Sequence, residues 1–498
     1  MFKRVMIANR GEIAVRIMRT CRSMGIETVA VYSDADADAL HVRVADRSVH
    51  LGGAAPNESY LSVDRIIDAA LGSGAEAIHP GYGFLAESEQ LARACVESGI
   101  VFVGPSADAI AALGNKSSAR SCAESCGVPV ITGATLAGNG AGTEDPETLA
   151  AKIGYPLLIK AAAGGGGKGM RLVSNSCELR DAIDAAGREA LNAFGSAELI
   201  LERFLERSRH VEVQILGDLH GNIVHLFERE CSIQRRHQKI LEEAPAPALE
   251  RRLRDEICDA ALRLATAGGY TNAGTVEFLI DEEGGFFFLE VNTRLQVEHP
   301  VTEAVTGLDL VAAQLRVAAG EKLRWEQEAI TCRGHAIECR VYAEDPAAAF
   351  MPSPGTILHQ EEPVGPGIRV DSGAVSGSEI PIDYDPIVAK LIAWGEDRDS
   401  ARGRMARALS EYPILGIATT IPFLHDLIAA RAFAEAHLST RFIDEHMASW
   451  TPRRDALAEA LVAFVADARE PVAAAPRNRC ADEQSHPSPW AGLGRWRL

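Results

Sequence analysis

Short apolar runs and amphipathic stretches alternate through the N-terminal part of the chain. Arg4–Ala8 and Thr28–Tyr32 are apolar enough to be buried strands, and between them Gly11–Met24 places Ile13, Ile17, Met18 and Cys21 at helical spacing. Ala77–His79 and Val101–Val103 predict further strands, with helices between them. Strand and helix in alternation imply a mostly parallel, twisted sheet.

From Asn115 strands come more often and glycine-rich turns separate them. Strands are predicted at Pro156–Lys160 and Met170–Val173, and an antiparallel pair at Gly274–Ile280 and Phe286–Asn292 around Asp281-Glu282-Glu283-Gly284-Gly285. Asn139–Pro146 reads as a loop or short linker. After about Thr331, short strands and Pro/Gly turns precede helical stretches at Arg398–Leu409 and Ile421–Ala430. Arg453–Arg469 is alanine-rich with helical periodicity, and Glu470–Pro489 has the composition of a linker. The pattern predicts an α/β (α+β) fold of several modules.

At 498 residues the chain suits more than one domain, and 47% hydrophobic with 24% charged residues is a globular composition. A net charge of -19 argues against a general nucleic-acid binder, which needs a basic surface, but not against a local anion pocket. No apolar run approaches the ~18 residues of a membrane span. Met1-Phe2-Lys3-Arg4 leads into an apolar stretch too short for a secretory signal. Ten cysteines without Cys-x-x-Cys spacing fit reduced thiols in a cytoplasmic protein.

Five segments carry candidate chemistry. Asn9-Arg10-Gly11-Glu12 sits where a dinucleotide fingerprint would, but its single glycine makes it a structural turn or a phosphate contact. Ala163-Gly164-Gly165-Gly166-Gly167-Lys168-Gly169-Met170 lies between two predicted strands. It lacks the Ser or Thr of a P-loop, so a mobile flap over a nucleotide, helped by Lys160, competes with a plain hairpin turn. A two-residue turn at Glu283-Gly284 would set Glu277 opposite Glu290, with Asn292 on the same face. Like charges so placed destabilise a hairpin, which suggests a hard cation such as Mg²⁺ or Mn²⁺; otherwise one glutamate faces solvent. Arg294, Gln296 and Glu298 follow at spacing two, and an extended strand would aim them at one side as an anion site with a base, or as an ordinary ion pair. The basic run Gln234-Arg235-Arg236-His237-Gln238-Lys239 is either a solvated face or part of a nucleotide and anion pocket.

Together with His79-Pro80-Gly81-Tyr82-Gly83-Phe84-Leu85 and Asn292-Thr293-Arg294-Leu295-Gln296-Val297-Glu298-His299-Pro300, these segments closely resemble the biotin carboxylase family of ATP-grasp enzymes, from Phe2 to about Met447. The resemblance implies an N-terminal Rossmann-like domain (1–114), an ATP-grasp domain (115–330) with a lid at about 131–204, a C-terminal domain (331–447) and a tail (448–498). It implies ATP contacts from Lys116, Lys160, Gly166, Gly167, Glu202, Arg203, Phe204, Leu205, His210, Gln234, His237 and Leu279. Two Mg²⁺ or Mn²⁺ ions would sit on Glu277, Glu290 and Asn292. Bicarbonate would meet Lys239, Arg294, Gln296 and Val297, with Glu298 as base. Arg340 would steady the biotin enolate, with Tyr82 beside the biotin. Arg203 stands where many members have lysine, and Ala163 replaces a glycine that some members carry.

No Ala-Met-Lys-Met motif, the biotin attachment signal of carrier domains, occurs here. The resemblance therefore implies biotin supplied on a carrier protein, a separate carboxyltransferase, and a homodimer. The alternatives are another ATP-grasp ligase, such as a carbamoyl-phosphate-forming enzyme, and a non-catalytic nucleotide-binding protein. Lys239, Arg294, Glu298 and Arg340 argue against the first, and the filling of every expected catalytic position argues against the second. The stretch Pro487–Leu498 looks like the opening of the domain that follows the carboxylase in longer acyl-CoA carboxylase chains. If that tail docks on the carrier chain, deleting residues 470–498 weakens the complex in a pull-down; unchanged complex formation counts against docking.

Overall fold

The computed structural model describes residues 1–136, 145–162 and 170–452. The expectations for the 139–146 loop and the glycine flap therefore fall largely outside the described residues, and those for the helix and linker after Arg453 wholly so. β1 (Arg4–Ile7), β2 (Glu27–Ser33), β3 (Arg47–Gly52), β4 (Ala77–His79) and β5 (Val101–Phe102) form a parallel sheet in the order β3-β2-β1-β4-β5. α1 (Gly11–Ser23) buries Ile13, Ile17, Met18 and Cys21, the face its sequence period predicts.

Between β1 and α1, Asn9-Arg10-Gly11-Glu12 makes a joint. Asn9 Nδ2 donates to the carbonyls of Pro80 and Tyr82, at 2.7 Å each. Arg10 grips Asp36 with Nε at 2.6 Å and Nη2 at 2.7 Å, and Gly11 takes φ +64. The side chains of Asn9 and Arg10 are thus engaged by protein groups, whereas the buried Glu12 carboxylate makes no hydrogen bond.

α2 (Lys116–Ser125) begins where the Asn115 side chain accepts a hydrogen bond from Ser118 N at 3.0 Å, a cap that places Lys116 at the first helical position. β6 (Gly133–Leu136), β7 (Leu157–Ala161), β8 (Arg171–Val173) and β9 (Leu199–Arg203) form an antiparallel sheet ordered β6-β9-β7-β8, with its own core of Leu157, Ile159, Val173, Leu179 and Leu201.

The largest sheet has eight antiparallel strands: β10 (Arg209–Gly217), β11 (Ile223–Arg235), β12 (Gln238–Ala244), β13 (Asn272–Ile280), β14 (Phe286–Asn292), β15 (His335–Tyr342), β16 (Ile368–Ser372) and β17 (Ile387–Gly395). Their order is β14-β13-β10-β11-β12-β15-β17-β16. Leu241 pairs with Cys339 and Glu242 with Glu338, so one hydrogen-bonded sheet continues from β12 into strands that follow Thr331. β10 shows why it carries function: Val211, Val213 and Ile215 face a core while His210, Glu212 and Gln214 share the opposite face.

Two local expectations change. The β13–β14 connection is a three-residue loop, not a two-residue turn: Asp281 N donates to Gly285 O at 2.9 Å, and the Asp281 carboxylate takes Gly285 N at 2.7 Å. Pairing then runs Ile280↔Phe286, Leu279↔Phe287, Phe278↔Phe288, and the extra residue Leu289 makes a bulge. The bulge restores the predicted opposition of Glu277 and Glu290 that the longer loop alone would have shifted by one. The second change follows Asn292. β14 ends there, and residues 293–298 form an irregular turn leading into α3 (His299–Thr306), not an extension of the strand.

Among the described residues no helix is long and apolar enough to cross a membrane. A Cβ at Gly373 would collide with the backbone of Gly11 and Glu12. Gly373→Ala should therefore destabilise the protein by about 1–3 kcal/mol, the usual cost of overpacking. A urea unfolding midpoint equal to that of the parent would show the approach is not tight.

Candidate active site

A cavity of about 1190 Å³ opens over the large sheet. Every described residue assigned above to a site lines it except Tyr82. Gly166 and Gly167 lie outside the described residues. Tyr82 instead packs against the core under α1, with Lys390 Nζ 5.6 Å from its ring centroid. The basic run proves to be a hairpin tip. Gln234 pairs with Lys239 and Arg235 with Gln238, while Arg236 and His237 turn the chain with positive φ, and all six line the cavity.

At the centre is Lys239. Its Nζ donates to Glu212 Oε2 at 2.5 Å, Glu298 Oε1 at 2.7 Å and Glu277 Oε1 at 2.8 Å. Burial pushes Glu298 up, but Lys239, Arg340 and Arg229 outweigh it and hold the carboxyl below its ordinary value. Glu277 behaves alike: burial raises it, and Lys239 with His210 carries it well below the usual range. Arg340 comes from β15 and places Nη2 3.0 Å from Glu298 Oε2 while its Nε donates to Glu242 at 2.6 Å. Glu298 is fully buried and ionised, with one cation on each oxygen.

Arg294 reaches the same region from the irregular turn. It donates to Gln296 Oε1 at 2.8 Å, Asn292 Oδ1 at 3.1 Å and Glu87 Oε2 at 3.0 Å. The residues spaced by two thus converge although their segment is not a strand, because Leu295 turns inward into the core between them.

Glu277, Glu290 and Asn292 present two carboxylates and an amide carbonyl, the oxygen set a hard divalent cation prefers. Each carboxylate already attracts an ammonium group, Lys239 on Glu277 and Lys116 on Glu290, so both positions call for positive charge. His210, Glu212 and Glu277 also bring ligand atoms within 4.8 Å of one another, but Arg229 and Lys239 occupy the Glu212 carboxylate. Elsewhere in the wall Lys160 Nζ meets Glu202 Oε2 at 2.5 Å and Arg120 meets Glu202 Oε1 at 3.1 Å. Leu158, Met170, Phe204, Leu279 and Leu289 supply apolar walls there, suited to a flat ring.

Sequence reasoning missed Glu212, Arg229, Glu242 and Glu338. Arg229 is fully buried and holds Glu212 Oε1 at 2.6 Å and Gln214 at 2.7 Å. Burial pushes Glu242 up to about 7 and Glu338 well above the carboxylate range. The signal was present as alternation: His210, Glu212, Gln214 and Glu338, Arg340, Tyr342 are polar positions of period two between apolar ones.

Three family models match successive parts of the chain: Biotin carboxylase, N-terminal domain over residues 1–110; Carbamoyl-phosphate synthase L chain, ATP binding domain over 115–326; and Biotin carboxylase C-terminal domain over 338–445. Biotin carboxylase 1 of Bacillus subtilis is 51% identical over 447 residues, 90% of this chain and 99% of that one. The biotin carboxylase of a Nostoc species is 50% identical over 444 residues, 89% of this chain and 99% of that one. The biotin carboxylase domain dimer of Hydrogenobacter thermophilus 2-oxoglutarate carboxylase, solved with MgADP, ADP and bicarbonate, superposes with a TM-score of 0.86 at 46% identity, covering 90% of this chain and 98% of that one.

Lys239→Met leaves three buried carboxylates facing one another. The expected loss is about 3–5 kcal/mol at neutral pH. Lys239 lowers all three carboxyls, so its removal shifts each of them upward. Their repulsion is then absent at acid pH and grows as pH rises through the folded values, so the penalty should shrink on acidification. Equal unfolding midpoints for variant and parent at neutral pH would contradict this account.

Proposed function

The chain belongs to the biotin carboxylase family, and we infer that it uses ATP to carboxylate biotin with bicarbonate, giving carboxybiotin, ADP and phosphate. The observation that carries this reading is the ionised Glu298 held between Lys239 and Arg340 in the wall of the cavity that the apolar ring-site residues also line. A nucleotide lies along the cavity with its ring among Leu279, Phe204 and Leu205, near Glu202 and His237, and its phosphates toward Lys116, Lys160 and His210. Glu277, Glu290 and Asn292 hold divalent cations of the magnesium or manganese class, which supply charge neutralisation at the phosphates when bound.

Bicarbonate enters between Lys239, Arg294 and Gln296, where the cations offset its charge. Glu298 takes its proton, and the freed oxygen attacks the γ-phosphorus as the bond to ADP breaks, giving carboxyphosphate. Carboxyphosphate separates into CO₂ and phosphate. Phosphate removes the N1′ proton of biotin, Arg340 steadies the enolate oxygen, and N1′ attacks CO₂. The low position of Glu298 ensures that it is a carboxylate throughout the neutral range, so it contributes no acid limb to the rate there.

Biotin is borne by a separate carrier, a carboxyltransferase passes the carboxyl group on, and the chain pairs with a second copy of itself in the cytoplasm. The flanking biotin carboxylase domains set this reading above a carbamoyl-phosphate-forming one, although the central domain is common to both. Glu298→Gln should fold as the parent does, bind ATP within about threefold of it, and lose bicarbonate-dependent ATP cleavage by about a hundredfold or more. Turnover close to the parent's would remove Glu298 as the base.

A further inference from the structure

Lys390 and Glu12 are buried ionisable groups that the reaction above does not use, and burial pushes the Glu12 carboxyl up to about 7 against the pull of Lys390. Lys390 lies on β17, is 0% exposed, and sits opposite both Arg340 of β15 and Asp371 of β16. Its Nζ donates to the carbonyl oxygen of Val297 at 2.9 Å and lies 3.3 Å from Glu12 Oε2. Glu12 is 1% exposed and lies in the first turn of α1, at the end of the Asn9–Glu12 motif.

We propose that Lys390 is a positioning residue for the turn that carries Glu298, and that Glu12 holds Lys390 in place for it. This rests on Glu298 being the base. The turn needs outside support. It belongs to neither β14 nor α3, and its backbone bonds, His299 N to Gln296 O and Val301 N to Glu298 O, are both long at 3.3 Å. Neither involves the Val297 carbonyl, which Lys390 takes instead.

Two adjacent strands thus reach the same turn. Arg340 fixes the carboxylate of Glu298, and Lys390 fixes the peptide oxygen one residue before it. A backbone held at Val297 limits where the Glu298 side chain and the Gln296 amide can go, and both line the bicarbonate end of the cavity. A space-filling role alone does not explain an ammonium here, because an apolar side chain of similar length would avoid its desolvation. An ion pair serving only to join α1 to the sheet would not put the shorter contact on the Val297 carbonyl. Lys390 Nζ also lies over the Tyr82 ring, 5.6 Å from its centroid, which relates the sequence motif around Tyr82 to the site through Lys390.

The test uses full-length Lys390→Met, Lys390→Arg and Glu12→Gln, assayed by bicarbonate-dependent ADP release with free biotin. Lys390→Met should lower kcat/KM for bicarbonate about tenfold or more while KM for ATP stays within about threefold. Lys390→Arg should recover part of the loss, and Glu12→Gln should show a smaller loss of the same kind. Parent-like kcat/KM for bicarbonate in Lys390→Met overturns the proposal. So does an equal loss toward ATP and bicarbonate, which marks a general structural staple. If Lys390→Met does not fold, Glu12→Gln decides: a selective bicarbonate defect supports the proposal and unchanged kinetics overturn it. A parent protein without bicarbonate-dependent ADP release would instead overturn the reading of the site itself.

Discussion

One ammonium group, that of Lys239, is shared by three buried carboxylates. Charges removed from water are tolerated only when paired and hydrogen-bonded, and the penalty for an unpaired one is several kcal/mol. The surrounding architecture answers that demand. Glu212 arrives on β10, Glu277 on β13 and Glu298 on the turn before α3, so strands distant in sequence must be neighbours for the pairing to exist. Arg229, buried beneath them with Gln214, Thr275 and Thr302 as further acceptors, takes the second oxygen of Glu212.

The same electrostatics sorts the acids by task. Glu298 touches a cation on each oxygen, Glu277 meets Lys239 on one oxygen and the His210 imidazole on the other, and both stay ionised. Glu338 shares a sheet face with Arg340 but neither oxygen has a hydrogen-bond partner, and burial drives it toward the neutral acid. Similar side chains within one sheet therefore differ in how readily they ionise, and the difference is set by the balance of burial, neighbouring carboxylates and cations at each one; Glu212 has a cation on each oxygen and is still pushed up by burial and by Glu298.

The parallel N-terminal sheet, the helical face of α1 and the opposition of Glu277 and Glu290 were legible in the sequence because period and spacing encode them. The opposition was reached through the wrong turn, however. A loop one residue longer and the Leu289 bulge offset each other, and no local propensity announces a bulge whose purpose is register. Arg294, Gln296 and Glu298 were grouped correctly under a strand that does not exist there; burial of Leu295 in an irregular turn produces the same convergence. Tyr82 was grouped with the site by motif, yet it stands behind Lys390, outside the cavity wall. Glu212, Glu242 and Glu338 went unnoticed because a lone acid in an apolar strand acquires meaning only once its cross-strand neighbours are known.

Ladder bonds between β12 and β15 use main-chain groups alone and are indifferent to side-chain identity. The central segment brings the nucleotide face and Glu298, yet the guanidinium that meets Glu298 arrives on the strand docked against β12. A common nucleotide-activating core thereby becomes a socket. The strand docked on that edge sets which side chain faces Glu298, and the register of Leu241 with Cys339 and Glu242 with Glu338 puts the Arg340 guanidinium there.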